Sequence, residues 1–79
     1  MTLTEAVLTQ IWREVLHRQE VTSDDDFWLL GGDSYGAALV MDRVHERLGA
    51  ELPVAAMFAA PRLRALARLI DERGDEPAR

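Results

Sequence analysis

Apolar residues recur at intervals of three and four in three separate segments of this chain, and this periodicity limits the possible fold more than any other feature. Such spacing places the apolar side chains on one face of an α-helix. The stripes are Leu8-Ile11-Trp12-Val15, Ala37-Val40-Met41-Val44-Leu48 and Leu63-Leu66-Ala67-Ile70. They predict three helices over about Thr4–Gln19, Ser34–Leu48 and Leu63–Arg73.

Residue types that start or stop helices lie at the ends of these segments. Thr2 followed by Glu5 has the capping-box pattern, and either Asp33 or Ser34 can accept a hydrogen bond from a free N–H at the second start. Gly49 and Gly74 fit the left-handed position that follows a helix. Two prolines enclose a fourth, short segment, which we predict over Val54–Ala60.

The chain has 79 residues, which is enough for one domain. We therefore predict a single all-α domain over residues 1–79, with a core at about 4–73 and a polar tail at 74–79. Its architecture is a four-helix bundle of three longer helices and one short helix. A domain of this size has little room for an enclosed pocket that holds both a substrate and a catalytic apparatus, so we expect a protein that is not an enzyme.

Composition narrows the function further. The net charge is −5, and all nine basic residues are arginines that are spread along the chain, which disfavours binding to nucleic acid. Without cysteine the chain can form neither a disulfide nor a thiolate metal site. No apolar run is long enough to cross a membrane and no signal peptide is visible at the first residues, so a cytoplasmic monomer is the expectation.

One stretch between the first two helices carries the functional signal. The run Ser23-Asp24-Asp25-Asp26 favours turns. It is followed by four consecutive apolar residues, Phe27-Trp28-Leu29-Leu30, and then by the pair Gly31-Gly32. We interpret this stretch as a loop that Phe27, Trp28 and Leu30 pin onto the core. It places Ser34 at a helix start, where free N–H groups and a partial positive charge favour a phosphate ester on the serine oxygen. On this evidence alone, an ordinary helix-capping serine is the more frequent case.

The whole chain resembles the peptidyl carrier (thiolation) domains of nonribosomal peptide synthetases. The resemblance covers roughly Leu8 to Ile70 and centres on the acidic-aromatic-Leu-Gly-Gly-acidic-Ser signature. It is carried by the following segments: Ile11-Trp12, Val15-Leu16, Asp24 to Ser34, Leu48-Gly49, Leu52-Pro53, Met57 to Pro61, Leu66-Ala67 and Leu69-Ile70.

The resemblance implies a carrier function. A phosphopantetheinyl transferase would use coenzyme A and magnesium to attach 4′-phosphopantetheine to Ser34, with Gly31, Gly32 and Asp33 around the attachment point. The arm's thiol would hold an aminoacyl or peptidyl thioester, and the cysteine-free chain would offer no competing thiol. Further partners implied are an adenylation enzyme and condensation, tailoring or thioesterase enzymes.

Four positions depart from the family pattern: Leu29, Tyr35, Gly36 and Arg62. Gly36 costs up to about 1 kcal/mol relative to alanine in a helix. Leu29, Tyr35, Ala38 and Leu39 should lie off the buried stripe near the arm. These four residues are candidate partner-docking residues, and packing against a neighbouring loop is the alternative.

Several other functions are compatible with parts of the sequence. Acyl or aryl carriers of polyketide, fatty-acid or siderophore pathways are similar, although the Gly31-Gly32 pair and the mixed charge of the second helix favour the peptidyl class. An unmodified helical interaction module is the alternative from another class. A hydrolase triad of Ser34, Asp42 and His45 fails, because eleven residues of helix separate Ser34 from His45 by about 16 Å. A start at Met1 and a short polar tail suit a discrete carrier and equally a piece of a larger synthetase.

Overall fold

The computed structural model describes residues 2–74. They form four helices, α1 (Leu3–Leu16), α2 (Ser34–Leu48), α3 (Ala56–Ala59) and α4 (Leu63–Gly74). The predicted all-α fold with three longer helices and one short helix is confirmed. The predicted tail, apart from Gly74, lies outside the described residues, so the division into core and tail stays a prediction. None of the helices between residues 2 and 74 is both long and apolar enough to cross a membrane.

Helix α1 begins with the predicted cap and ends earlier than predicted. The Thr2 side chain accepts a hydrogen bond from the Glu5 N–H. The helix stops at Leu16, not near Gln19, because His17 adopts a left-handed conformation with φ of 55°. The prediction failed because the residues from 17 to 20 are exposed and carry no apolar stripe, and the chain must leave the helix axis to bury Val21.

The bounds of α2 agree with the prediction at both ends. Asp33 caps its start, and Gly49, with φ of 70°, ends it by donating its N–H to the His45 carbonyl at 3.0 Å. Helix α3 has only four residues and is shorter than the predicted 54–60 segment, because residues 54 and 55 form a turn before it. Helix α4 extends one residue beyond the predicted end, to Gly74.

The core is apolar and lies where α1 meets α2 and α4. Its largest fully buried side chains are Trp12, Phe27, Leu8, Ile11, Met57, Leu63, Leu66, Val40 and Val44. The rings of Trp12 and Phe27 meet edge to face with centroids 5.2 Å apart, a favourable arrangement for aromatic pairs. The loop before α2 is thus part of the core through Phe27, as the sequence analysis predicted.

A charged cluster joins α1 to α2 on the surface. The Glu14 carboxylate accepts hydrogen bonds from Arg43 at 2.8 Å and from Arg47 at 2.7 Å. The hydrogen bond and charge of Arg47, with a further contribution from Arg43, hold the pKa of Glu14 below its ordinary value of 4.5. Because these side chains are about one-third exposed, solvent screens the attraction, and the cluster contributes little to stability.

Candidate functional site

The loop that precedes α2 is tied by its backbone to the start of α4. Phe27 donates its N–H to the Pro61 carbonyl at 2.9 Å, and Leu63 donates to the Asp25 carbonyl at 3.0 Å. Arg64 donates its N–H to the Ser23 carbonyl at 2.9 Å. Free N–H groups at a helix start need acceptors, and here loop carbonyls supply them. This explains why α4 begins without a Ser or Thr cap, with Arg62 at the position before its first residue.

Each carboxylate of the acidic run has a partner within the protein. Asp24 forms an ion pair with Arg64 at 2.8 Å, and Asp25 accepts a hydrogen bond from the Thr22 N–H at 2.8 Å. Asp26 accepts from the N–H groups of Trp28 and Leu29 at 2.8 and 3.2 Å. The three aspartates therefore shape the loop, in agreement with the turn that the sequence predicts for this run.

The tryptophan of the loop connects it to α3. The Trp28 indole N–H donates to the Met57 carbonyl at 3.0 Å, and the ring is half-buried. The same ring stacks on Phe58, with centroids 4.6 Å apart and an angle of 22° between the planes. Phe27 and Trp28 thus hold the loop to α4 and α3 respectively. Leu30 is half-buried against the core, in agreement with the predicted pinning of the loop.

The two glycines before the helix are required for different reasons. Gly31 has a φ of 99°, a conformation that side chains disfavour, and a Cβ there would meet nothing within 4 Å. Gly32 is limited by packing, because a Cβ there would lie 2.2 Å from Cε2 of Phe27. The Gly32 N–H also donates to the Phe27 carbonyl at 3.0 Å. The glycine pair therefore makes the turn and lets it close tightly over the buried ring.

Asp33, and not Ser34, is the helix cap. Asp33 has an extended backbone, and its Oδ1 accepts a hydrogen bond from the Gly36 N–H at 2.7 Å. Its carbonyl also accepts the N–H of Ala37 at 2.8 Å. Ser34 is the first residue of α2 and is exposed. Within residues 2–74 the Ser34 hydroxyl has no hydrogen-bond partner, so the capping role that could have occupied it belongs to its neighbour.

The position of Ser34 suits an anionic group on its oxygen. The N–H groups of the first helical turn point away from the helix body, and the macrodipole places a partial positive charge there. A phosphate ester on the Ser34 Oγ would sit at this end of α2, next to the uncrowded surface of Gly31. The residues present therefore fit a phosphate-linked prosthetic group.

Large apolar side chains on the loop, at the start of α2 and on α3 face solvent. Leu29 is 86% exposed, Tyr35 is 74% exposed and Phe58 is 62% exposed. Ala38 is also exposed, whereas Leu39 is half-buried. Phe58 is not among the docking residues predicted from the sequence. Met57 and Phe58 are adjacent in a short helix and only one can face the core, but the sequence does not indicate which of the two does.

His45 lies far from Ser34, in the last turns of α2, with Nδ1 at 3.9 Å from a carboxylate oxygen of Glu51. His17 directly follows α1 and lines a groove together with Asp33 and Tyr35. Neither histidine forms a hydrogen bond to the Ser34 hydroxyl within the described part of the chain. The arrangement agrees with the rejection of a serine hydrolase triad on helix geometry.

Residues 6–70 match the family described as "Phosphopantetheine attachment site". The chain is 42% identical over 73 residues to tyrocidine synthase 3 of Brevibacillus parabrevis, with 92% of this chain and 1% of that protein covered. It is 37% identical over 75 residues to gramicidin S synthase 2 of Brevibacillus brevis, with 95% of this chain and 2% of that protein covered. The chain thus spans a small fraction of the length of these curated relatives.

Solved structures with the same fold include two peptidyl carrier proteins. One was determined in complex with the phosphopantetheine transferase Sfp and coenzyme A (33% identity, TM-score 0.88, 92% of this chain and 95% of that chain). The other is the solution structure of an active-site mutant (31% identity, TM-score 0.91, 99% of this chain and 87% of that chain). With the family match spanning most of the residues, the chain belongs to the phosphopantetheine attachment site family, and within it is a carrier domain similar to those of nonribosomal peptide synthetases.

Proposed function

We propose that Ser34 is the attachment residue and that this domain carries an aminoacyl or peptidyl thioester on a 4′-phosphopantetheine arm. The observation that carries the proposal is the division of roles at the start of α2. Asp33 caps the helix through the Gly36 N–H, and this leaves the exposed Ser34 hydroxyl free to react. An interaction module with Ser34 as its cap would need the opposite arrangement.

Each residue around Ser34 has a distinct task in this proposal. The Ser34 Oγ forms a bond to phosphorus, and its proton leaves to a base of the transferase together with departure of the adenosine bisphosphate part of coenzyme A. The first turn of α2 stabilises the resulting phosphodiester electrostatically. Gly31 and Gly32 keep the approach to the hydroxyl open, and Asp33 keeps the helix start in place. The arm's thiol supplies the thioester linkage to the cargo.

The chain itself contributes no catalysis to the later reactions in this proposal. Ser34 is esterified once and then acts only as a tether. The partners are a phosphopantetheinyl transferase, an adenylation enzyme that loads the thiol, and a condensation, tailoring or thioesterase enzyme that unloads it. Support comes from relatives that are peptide synthetases, and from neighbours solved with Sfp or as an A-PCP of McyG with phenylalanyl-adenylate. The cytoplasmic location and monomeric state stay predictions.

The exposed apolar residues near Ser34 supply a surface for these partners. Leu29, Tyr35, Ala38 and the half-buried Leu39 are the docking residues that we propose, and Phe58, which stacks on Trp28, is a further exposed apolar side chain. Solvent-facing side chains of this size are not needed for the core. Their exposure is favourable in a protein that meets several enzymes in turn, because each encounter buries apolar area.

The chain offers a matched control for the test, because Ser23 and Ser34 are its only serines. Wild type, Ser34→Ala and Ser23→Ala would each be incubated with coenzyme A, magnesium and a broad-specificity phosphopantetheinyl transferase, and their intact masses compared. Wild type and Ser23→Ala should gain one phosphopantetheinyl group, and Ser34→Ala none. The proposal fails if folded wild type gains nothing with several transferases, or if Ser34→Ala is modified equally.

A further inference from the structure

A groove beside Ser34 separates the end of α1 from the start of α2. Its volume is about 280 Å³. Its larger apolar lining residues are Val15, Leu16, Tyr35 and Leu39, and Gly31, Gly32, Gly36, His17 and Asp33 also line it. Val15, Leu16 and Leu39 are only partly buried, so the core does not fill this space.

The groove starts at the proposed attachment point. Asp33 and Tyr35, the two chain neighbours of Ser34, both line it. Leu39 lies five residues beyond Ser34, which is about 7.5 Å along the axis of α2. A group tethered to Ser34 through a long flexible arm can fold back over this distance, so the cargo reaches the groove without any movement of the helices.

The size and chemistry of the groove favour an apolar group. A cavity of about 150 Å³ lined by aliphatic and aromatic residues is large enough to bind benzene. The groove beside Ser34 is larger than this, and Tyr35 offers an aromatic face that is 74% exposed. A second groove on α2 has a volume of about 420 Å³, but it starts farther from Ser34, at Ala38, and Asp42 and Glu51 line it. Both chain neighbours of Ser34 line the first groove and neither lines the second, so the first is the nearer site for a group tethered to Ser34.

We infer that the groove formed by Val15, Leu16, Tyr35 and Leu39 holds the apolar side chain of the cargo when no partner enzyme is docked. This inference rests on the proposed attachment to Ser34. The cargo class that it indicates is an aminoacyl group with a branched aliphatic or aromatic side chain. Burial of that side chain removes apolar surface from water. Tyr35 and Leu39 then contact the cargo in the free carrier. When a partner enzyme docks, the same two residues contact the partner, so the two contacts alternate.

The test uses cargo attached through a stable amide. A phosphopantetheinyl transferase would load the full chain with coenzyme A analogues that end in a phenylalanyl or a glycyl amide, and intact mass would verify each product. Methyl NMR spectra of the two products would then be compared. The phenylalanyl form should show shifted Val15, Leu16 and Leu39 methyl signals relative to the glycyl form, together with contacts between the phenyl ring and Leu39.

The outcomes separate the two proposals. Absence of loading, seen by mass, overturns the attachment proposal itself. Complete loading with identical methyl spectra for both cargoes, or with shifts only at Met41 and Leu52 in the other groove, overturns the groove assignment and leaves the attachment proposal intact.

A pair of variants tests the groove directly. Tyr35→Ser removes the aromatic ring that lines the groove, whereas Leu29→Ser removes an even more exposed apolar side chain that does not line it. The ratio of groove-bound to free phenylalanyl cargo should fall about threefold in Tyr35→Ser, the factor expected when some tens of Å² of apolar contact are lost. It should not change in Leu29→Ser. Equal effects of the two variants would overturn the inference.

Discussion

The ring of Phe27 occupies the space that a side chain at Gly32 would need, since a Cβ on Gly32 would lie 2.2 Å from Cε2 of the ring. Phe27 is fully buried and edge to face with Trp12, so the ring has no room to retreat. The loop that presents Ser34 is therefore packed against one aromatic ring of the core. The closest approach is at Gly32, two residues before the start of α2.

Replacement of this glycine should destabilise the fold through a clash. Gly32→Ala should lower the free energy of unfolding by about 1–3 kcal/mol, the usual cost of overpacking a filled site. Urea denaturation measures it. A double-mutant cycle with Phe27→Leu provides the control, because a smaller side chain at 27 should relieve part of the clash. Strict additivity of the two changes would show that Phe27 does not limit position 32.

Removal of the Asp33 carboxylate should weaken the start of α2. Asp33→Ala loses the hydrogen bond to the Gly36 N–H and should lower the free energy of unfolding by about 1 kcal/mol. Asp33→Ser retains a side-chain acceptor and should stay within a few tenths of a kcal/mol of wild type. Thermal or urea unfolding of both variants checks this. If alanine were tolerated as well as serine, the cap would be elsewhere and Ser34 would become a candidate for it.

The indole hydrogen bond of Trp28 should hold the loop against α3. Trp28→Phe keeps an aromatic ring next to Phe58 but removes the donor to the Met57 carbonyl, at a cost of about 1 kcal/mol. Amide hydrogen exchange should accelerate mainly in residues 26–33 and 56–59. Uniform acceleration over the whole chain would instead show a global loss of stability with no special role in tethering the loop.

The Glu14 cluster should give the fold a modest acid sensitivity. The pKa of Glu14 is lowered in the folded state, so its contribution is present above its ordinary value of 4.5 and is lost as the pH falls through the folded pKa. The stability difference between wild type and Glu14→Gln should therefore be largest near neutral pH and shrink below about pH 4.5. A difference that grew on acidification would contradict the assigned direction.

The sequence predicted the bounds of α2, because its apolar stripe and its terminal glycine point to them, but it left Asp33 and Ser34 as alternative caps. It also predicted that Ser34 lies at the helix start and that Phe27 packs onto the core. In each case the information is local, since a stripe or a turn residue determines the outcome without reference to distant parts of the chain.

The features that the sequence missed depend on tertiary contacts. The early end of α1 follows from the path that brings Val21 into the core. The start of α4 is satisfied by carbonyls of Ser23 and Asp25, about forty residues away, which no local pattern reveals. Of the adjacent apolar residues Met57 and Phe58, Met57 is buried in the core and Phe58 is exposed. Trp28, from the distant loop, stacks on Phe58.

The most direct test of the central claim is to locate the added group on a single residue. Wild-type chain modified with coenzyme A and a phosphopantetheinyl transferase would be fragmented in a mass spectrometer, and the modified position read from the fragment series. The structure predicts one phosphopantetheinyl group on Ser34 and none on Ser23 or on a threonine. A group on any residue other than Ser34 would contradict the assignment of Asp33 as cap and Ser34 as attachment site.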